Sequence, residues 1–532
     1  MQPMTGESAA GGMRASRRSA RRVAGPSVPS QRTPVLKRPR AGPICALDPY
    51  PNGACLRRVP RPLAEDLMSI PETVARYLRE RRVVFRELPH PPTETLEQAA
   101  AAVGVPFGRM ARTIILKGPK RTLMAVLPAA HIFDIQALCR QLDCDLEPAS
   151  AEEVTGICRD CDPGAPPPLG DAFGLPVIFD EHLLGFEEIY FEPGSRGSLV
   201  AIRPHELLKL QPEAWRGDFA RPVVDLVHPD FDLEPGGDLR EAVQRFTPLR
   251  IRERIQEIHD LPPIPEMAHR LLELSLNPLA DADDLAQVVE LDPSLAAQVV
   301  SYATSPFYGY RGRLDSVRDA ITRVLGFDMV MNMGLGIAIG KSLRVPTGGP
   351  LGMRRYWRHA IYTAVLTERL ATSLPREFRI RPGMAYLAGL LHDFGHLLLG
   401  HVFRPGFLLL NQFITVNPEI PITDLETYVL GVRHDQVGAW LMRSWGMPEE
   451  LLVAVRWHHH EEYWDQHALY SHLVLVADRL LKRQGIGDAP NGDLPTTVLE
   501  ILELSEEQAL VILGYVMESC ESLDHLVRQL AA

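Results

Sequence analysis

From residue 246 onward the chain nearly ceases to offer strand patterns and reads as a succession of helices, which confines that half to an all-α bundle. Helical periodicity runs through 251–260, 265–276, 282–291, 294–304, 316–325, 329–341, 356–373, 383–401, 424–445, 449–459, 467–483 and 506–531. Turns such as Leu261-Pro262-Pro263 and Gly446-Met447-Pro448 punctuate them. Residues 68–225 are patterned differently. Helices at 70–81 and 96–103 alternate with β-rich runs at 83–88, 113–117, 123–127, 177–179, 188–191 and 199–202, and a closing helix starts at Pro204. Gly118-Pro119 between two of these runs predicts a hairpin. The expected fold class is multidomain: an α/β domain over 68–225, a linker over 226–245, an all-α domain over 246–485 and a helical extension over 486–532.

A chain of 532 residues is too long for one compact core. The hydrophobic fraction of 45% and the charged fraction of 23% are those of a water-soluble globular protein. No apolar run reaches the length of about 18 residues that a membrane span needs, so a cytoplasmic protein without a membrane partner is expected. Residues 1–60 hold 10 Arg and 1 Lys against Glu7 and Asp48, a net of +9, so the rest carries −11 − 9 = −20. That acidic body argues against a broad nucleic-acid-binding surface. The basic leader over 1–67 has the composition of a disordered segment. It reads as a nucleic-acid-binding tail, as a targeting peptide, or as an upstream extension of a chain that starts at Met68. Seven scattered Cys point to a reducing compartment, and Cys158-x-x-Cys161 alone is a weak zinc signal.

The chemistry-bearing residues lie in the helical half. Leu391-His392-Asp393-Phe394-Gly395-His396 places a His-Asp pair in an apolar helical run, with His392 and His396 on one face. His359 stands mid-helix, His434 falls inside the helix read at 424–445, and His458-His459 close the helix at 449–459. Asp478 interrupts the apolar stripe Leu475-Val476-Ala477, where an isolated charge would be costly unless paired or metal-bound. Imidazoles and carboxylates recurring on successive helices suit a divalent metal, Fe, Mn or Zn, that activates water for phosphoester hydrolysis.

His359, His392-Asp393 and Asp478 resemble the H…HD…D pattern of the HD-superfamily phosphohydrolases. The surrounding sequence resembles HDOD, the HD-related output domain of bacterial signalling proteins. Leu261-Pro262-Pro263-Ile264-Pro265, Asp292-Pro293-Ser294-Leu295, Thr304–Gly309 and Ala320-Ile321…Leu325-Gly326 are similar to its N-terminal half. Gly389–Asp393, His434–Ala439, Trp445–Glu450 and His458-His459 are similar to its C-terminal half. The resemblance spans roughly 250–485 and implies an all-α fold and a regulatory role with signalling proteins as partners. It also implies that His359, His392, Asp393 and Asp478 hold a metal, with His434, His458 and His459 available for a second. His396 stands where the cyclic-dinucleotide phosphodiesterases of the superfamily carry a Lys, and no Gly-Tyr-Pro follows, which argues against cyclic-di-GMP as substrate. In an active enzyme His396 would orient phosphate or move a proton.

Residues 68–215 resemble the YbaK/prolyl-tRNA-editing family of aminoacyl-tRNA deacylases, through Ala111–Leu116, Val126–Ala129, Pro163–Gly170, Ile178–Glu181 and Glu192–Gly197. The family's editing Lys is Arg112 here, which clamps an anion but cannot act as a neutral amine. The loop from Gly164 to Gly170, which would face an aminoacyl ester, is unusually Pro-rich. The resemblance implies an aminoacyl-tRNA or nucleotide ligand. The preferred expectation is a non-catalytic signalling protein with this module as its sensor. The alternatives are an HD-type phosphohydrolase or a deacylase acting through Arg112. Oligomeric state is not legible.

Overall fold

The computed structural model describes residues 70–226 and 263–531, apart from 306–307, 311, 315, 344 and 489–493. The basic leader, the linker from 227 and the helix expected at 251–260 lie outside the described residues.

The N-terminal half contains α1 (Glu72–Arg81), β1 (Phe85–Pro89), α2 (Leu96–Val103), β2 (Ala111–Lys117), β3 (Thr122–Pro128), β4 (His131–Phe133), α3 (Ile135–Leu142), β5 (Glu147–Pro148), α4 (Ala151–Ile157), β6 (Val177–Asp180), α5 (Glu181–Leu184), β7 (Ile189–Phe191), β8 (Ser198–Ile202), α6 (Pro204–Leu210), β9 (Trp215–Gly217) and β10 (Ala220–Pro222). Its main sheet has the order β5-β2-β3-β6-β9, and β1-β8-β7 form a second, antiparallel sheet. The expected hairpin is β2–β3, with Arg112 opposite Leu127 and Thr113 opposite Val126. β3, β6 and β9 run parallel, so the centre of the sheet is covered on both faces and β6 is apolar apart from Asp180.

The helical half contains α7 (Glu266–Ser275), α8 (Ala282–Glu290), α9 (Pro293–Ala303), α10 (Val317–Ala320), α11 (Phe327–Gly340), α12 (Met353–Ser373), α13 (Pro382–Leu391), α14 (Phe394–Val402), α15 (Arg404–Val416), α16 (Ile422–Val429), α17 (His434–Ser444), α18 (Glu449–Trp457), α19 (Ala468–Lys482), α20 (Thr496–Ile501), α21 (Glu506–Glu518) and α22 (Cys520–Leu530). The α/β-then-α fold class holds.

Three helices read as continuous are broken, the one expected at 506–531 at Ser519. The one expected at 383–401 breaks at His392-Asp393, and the one expected at 424–445 breaks over 430–433. The break over 430–433 is stabilised by nearby polar groups, Glu426 accepting from the His434 N–H and Gln436 from the Arg433 N–H, which apolar periodicity does not register. α15 escaped periodicity because it opens Arg404-Pro405-Gly406; Pro405 occupies the first turn, where its missing N–H costs nothing. The two halves share apolar core. Leu116, Leu127, Ile132, Phe133 and Phe219 belong to the same buried cluster as the helical core around Trp357 and Tyr362. No helix among the described residues is long and apolar enough to cross a membrane.

Candidate metal centre

The break between α13 and α14 builds the site. His392 continues the helix at φ −54°, whereas Asp393 swings to φ −93°, ψ 12°, the sparsely populated bridge region where chemically used residues often sit. Its carboxylate does not cap α14 and faces the histidines. α17 must approach closely for His434 to reach it. Gly395 allows this: a Cβ there would overlap the His434 carbonyl oxygen, so only glycine fits. His434 is the first residue of α17, not an interior one, and His458 and His459 lie just past the end of α18. His359 and Asp478 project from the interiors of α12 and α19.

The two carboxylate oxygens of Asp393 look in different directions. Oδ2 lies 3.4 Å from His392 Nε2 and 3.5 Å from His359 Nε2, and His359 Nε2 lies 3.1 Å from Asp478 Oδ1. Oδ1 lies 3.2 Å from His434 Nε2 and 3.7 Å from His458 Nε2, and His459 Nε2 lies 3.1 Å from His434 Nε2. Six of the seven expected metal residues therefore converge as two groups sharing Asp393, and Asp478 joins the first through His359. His359, His392, His434, His458 and Asp478 are buried, and His459 is half-buried.

Tautomers follow from the outer ring nitrogens. His392 Nδ1 is 2.8 Å from the Gly389 carbonyl and His458 Nδ1 is 2.8 Å from the Val455 carbonyl, so each Nδ1 donates and leaves a lone pair on Nε2. His434 Nδ1 donates to Glu426 Oε2 at 2.7 Å. Those Nε2 atoms aim at carboxylate oxygens and at one another, with 3.3 Å between His434 and His458. Burial alone would lower the His434 imidazole, but Glu426 and Asp393 hold it well above the usual range, so positive charge is favoured among these nitrogens and carboxylates. Burial pushes His458 down to about 4, keeping it in the neutral form that ligates. Burial alone would raise the Asp393 carboxyl, but His392 and His396 hold it well below the usual range. The donor set thus fits N/O-ligated divalent ions.

A surrounding layer holds these ligands, and sequence reasoning missed it. Glu426 is fully buried, bonds both the His434 backbone N–H (3.0 Å) and ring, and lies 2.9 Å from His396 Nε2. Burial raises its carboxyl, yet His434 and His396 bring it down to about 2. Its signal was a carboxylate among the buried positions Ile422, Leu425 and Val429 of α16. Lys482 holds Asp478 Oδ2 at 2.7 Å and Asp488 at 2.5 Å, turning Oδ1 inward. Asp435 joins Arg433 at 3.0 Å and Arg456 at 2.9 Å, tying α17 to α18. His396 sits behind the centre, its Nδ1 3.8 Å from Asp393 Oδ2.

In the α/β half, Arg112 is 6% exposed and its Nη2 donates to the His131 carbonyl at 3.0 Å and to Asn417 Oδ1 at 2.6 Å. Burial lowers its pKa to about 10, so it stays charged at neutral pH. Gly164 lines the same cavity as Arg112, whereas Gly170 is packed against Val177 and Leu175, outside that cavity's lining. Cys158 and Cys161 are free thiols and join none of the metal-capable groups among the described residues.

The fold and this site define a protein that couples an editing-type α/β domain to a helical HD-type domain. The HDOD domain model matches residues 261–461 and the aminoacyl-tRNA editing domain model matches 90–210. A crystal structure of a candidate signal transduction protein from Marinobacter aquaeolei VT8 is 31% identical and covers 87% of this chain and 100% of its own, with a TM-score of 0.74. An uncharacterized protein of Treponema pallidum is 24% identical over 263 residues. That match spans 48% of this chain and about half (49%) of the curated relative. The chain belongs to the family of two-domain proteins that place an aminoacyl-tRNA editing domain before an HDOD domain.

Proposed function

We propose that this chain is a bacterial cytoplasmic signalling protein in which the α/β half senses a ligand and the helical half, whose two donor groups sharing Asp393 would hold divalent ions, relays its state to protein partners without turning over a substrate. The observation that carries this reading is the joint around Asn417. From the end of α15, its Oδ1 accepts from the Phe133 backbone N–H (2.7 Å) and from Arg112, while its Nδ2 donates to the Phe133 carbonyl (3.1 Å). Tyr428 donates to Asp134 at 2.6 Å and Gln136 to Gln412 at 3.0 Å across the same seam. α16, whose Glu426 anchors His434, also carries Tyr428, so the seam and the metal centre share a helix.

His359, His392, Asp393 and Asp478 would hold one ion, and Asp393 with His434, His458 and His459 the other. When bound, such ions supply Lewis acidity and a lowered pKa for coordinated water. Asp393 would fix their spacing, Glu426 and Lys482 would orient the ligands, and His396, held by Glu426, would stand as a proton relay. Deacylation through Arg112 would require a tRNA acceptor end to enter where Pro418 and Glu419 stand, which favours the sensor reading.

Metal analysis of protein purified anaerobically tests the centre, with Fe, Mn or Zn expected at about two per chain. Chromogenic phosphodiesters test the output. Metal-dependent turnover lost in Asp393→Ala would favour the phosphohydrolase alternative, which the complete ligand set supports.

A further inference from the structure

Cys158-x-x-Cys161 lies at the end of α4, outside the metal centre. Cys158 closes the helix: its N–H donates to the Val154 carbonyl at 2.8 Å, and its φ of −98° turns the chain away from the helical path. Cys161 N–H then donates back to the Cys158 carbonyl at 3.1 Å, closing a turn over Arg159 and Asp160. Such a turn holds its first and fourth Cα atoms within about 7 Å, and a disulfide needs about 4.4–6.8 Å. The backbone is therefore already folded to the span of the bond. The side chains follow it. Cys158 is buried in the apolar cluster that contains Val74, Leu78 and Phe179, and Cys161, half-buried, packs against the same cluster.

The two thiols are hydrogen-bonded to each other, which holds Cys158 below the usual thiol value and pushes Cys161 above it. One sulfur is thus readier to act as thiolate while the other keeps its proton, a division that lets a dithiol react stepwise. At Cys139, by contrast, burial raises the thiol. The turn is also moored on both sides. Asp160 Oδ2 accepts the Thr73 N–H at 2.9 Å, at the start of α1, and Asp162 Oδ2 accepts the Arg196 N–H at 2.9 Å. Asp162 N–H donates to the Gly194 carbonyl at 2.8 Å, and Gly194, at φ 99°, leaves its side-chain space to the Cys161 sulfur. A bond across the turn would fix the segment that holds both α1 and the loop from Gly194 to Arg196.

We propose that Cys158 and Cys161 form a reversible two-electron redox site that closes a disulfide when the protein meets hydrogen peroxide. The Cys158 thiolate attacks one peroxide oxygen, the O–O bond breaks, and Cys158 becomes a sulfenic acid as hydroxide leaves. The Cys161 sulfur then attacks the sulfenic sulfur. The S–S bond forms, the S–O bond breaks, and the hydroxyl leaves as water with the Cys161 proton. The first hydroxide takes up the proton that Cys158 had released, so two thiols and one peroxide give one disulfide and two waters. A small dithiol restores the thiols by exchange and is itself oxidised. Neither the metal centre nor the ligand sensor supplies a reactant, so the inference stands apart from both.

Peptide mapping of the full-length protein before and after peroxide treatment, with free thiols alkylated first, tests this. Arg159 lies between the two cysteines, so trypsin separates them when they are reduced and leaves them joined through sulfur when they are oxidised. The joined product is expected at peroxide concentrations that leave Cys139 alkylatable, and dithiothreitol removes it. Cys161→Ser cannot close the bond, and dimedone should trap its Cys158 as the sulfenic acid. Cys158→Ser removes the thiolate and slows oxidation of Cys161 by at least about 10-fold. Both variants change a single atom, and a melting curve like the parent's verifies their fold. Two free thiols after a treatment that oxidises Cys139, a disulfide from either residue to a third cysteine or a second chain, or Cys158→Ser reacting at the parent's rate would each overturn the proposal.

Discussion

The metal centre and the seam cavity are both buried, polar and built at helix ends, yet their charges are arranged in opposite ways. Around Asp393 the ligating atoms are all acceptors, and Lys482 is turned to the outer oxygen of Asp478. Around Arg112 a cation with idle donors faces Glu192 and Glu419 across open volume. A cluster of acceptors is completed by a resident cation. A mixed cluster answers part of its own charge, and its buried carboxyls are pushed up instead. The comparison assigns a structural and relaying role to the first site and a pH-dependent one to the second.

The largest effect should come from breaking the bridge. Since Asp393 Oδ1 and Oδ2 serve different groups, Asp393→Ala takes metal content from about two per chain to none, whereas His458→Ala retains about one. Each ion lost removes about 4 kcal/mol of stability when metal is a thousandfold above its Kd. Elemental analysis and thermal melts read both quantities. One equivalent of metal surviving in Asp393→Ala would mean that the two groups do not share this carboxylate.

Gly395→Ala attacks the centre without touching a ligand. The added methyl meets the His434 carbonyl, a backbone atom that cannot rotate away, so α14 and α17 separate at a cost of about 3 kcal/mol. The His434 group should lose its ion first while the His359 group keeps its own. Equal loss from both would show that the close approach supports the whole bundle rather than one half of the centre.

Asn417→Ala tests the seam instead. It leaves the Phe133 N–H and carbonyl and one Arg112 nitrogen short of a partner, a cost of about 2–4 kcal/mol. Denaturant unfolding should split from one transition into two, with metal content unchanged. A single transition at the parent's midpoint would show that the halves are coupled by the shared apolar core alone.

Much of the fold was legible because its signals are local. Leu96–Val103 is bounded by Thr95, which caps Gln98 N, and by Gly104 at φ 69°, both sequence-readable. The β2–β3 hairpin announced itself in the same way. The seven metal residues were legible as a set, but their arrangement was not, because it depends on where helices stop. The break before His434 is stabilised by nearby polar groups, Glu426 for the His434 N–H and Gln436 for the Arg433 N–H, which an apolar period does not register. The outer layer was overlooked for a related reason. Glu426 lies among the apolar positions of its helix and Lys482 four residues after Asp478, and only the packing of α14, α17 and α19 shows what they hold. Only one wall of the cavity was legible, in Arg112, Gly164 and the Glu192–Gly197 motif, since the other lies some 300 positions away, as the Arg112–Asn417 separation of 305 shows.

The smallest expected effect discriminates most finely between the two sites, because it is a pH profile that only the mixed cluster should generate. The folded-state carboxyl of Glu192 is raised to about 7 from an ordinary 4.5. A carboxyl raised on folding favours the folded state fully below the unfolded value, and that advantage is lost as pH rises through the folded value. Parent stability should therefore fall between about pH 4.5 and about pH 7. Glu192→Gln keeps the neutral shape and removes the titration. Its stability should match the parent's near pH 4 and exceed it above pH 7 by about 1–2 kcal/mol, after allowing for solvent in the cavity. If the parent and Glu192→Gln profiles run parallel across this range, Glu192 does not face the open volume, and the cavity's acidic side reduces to Glu419.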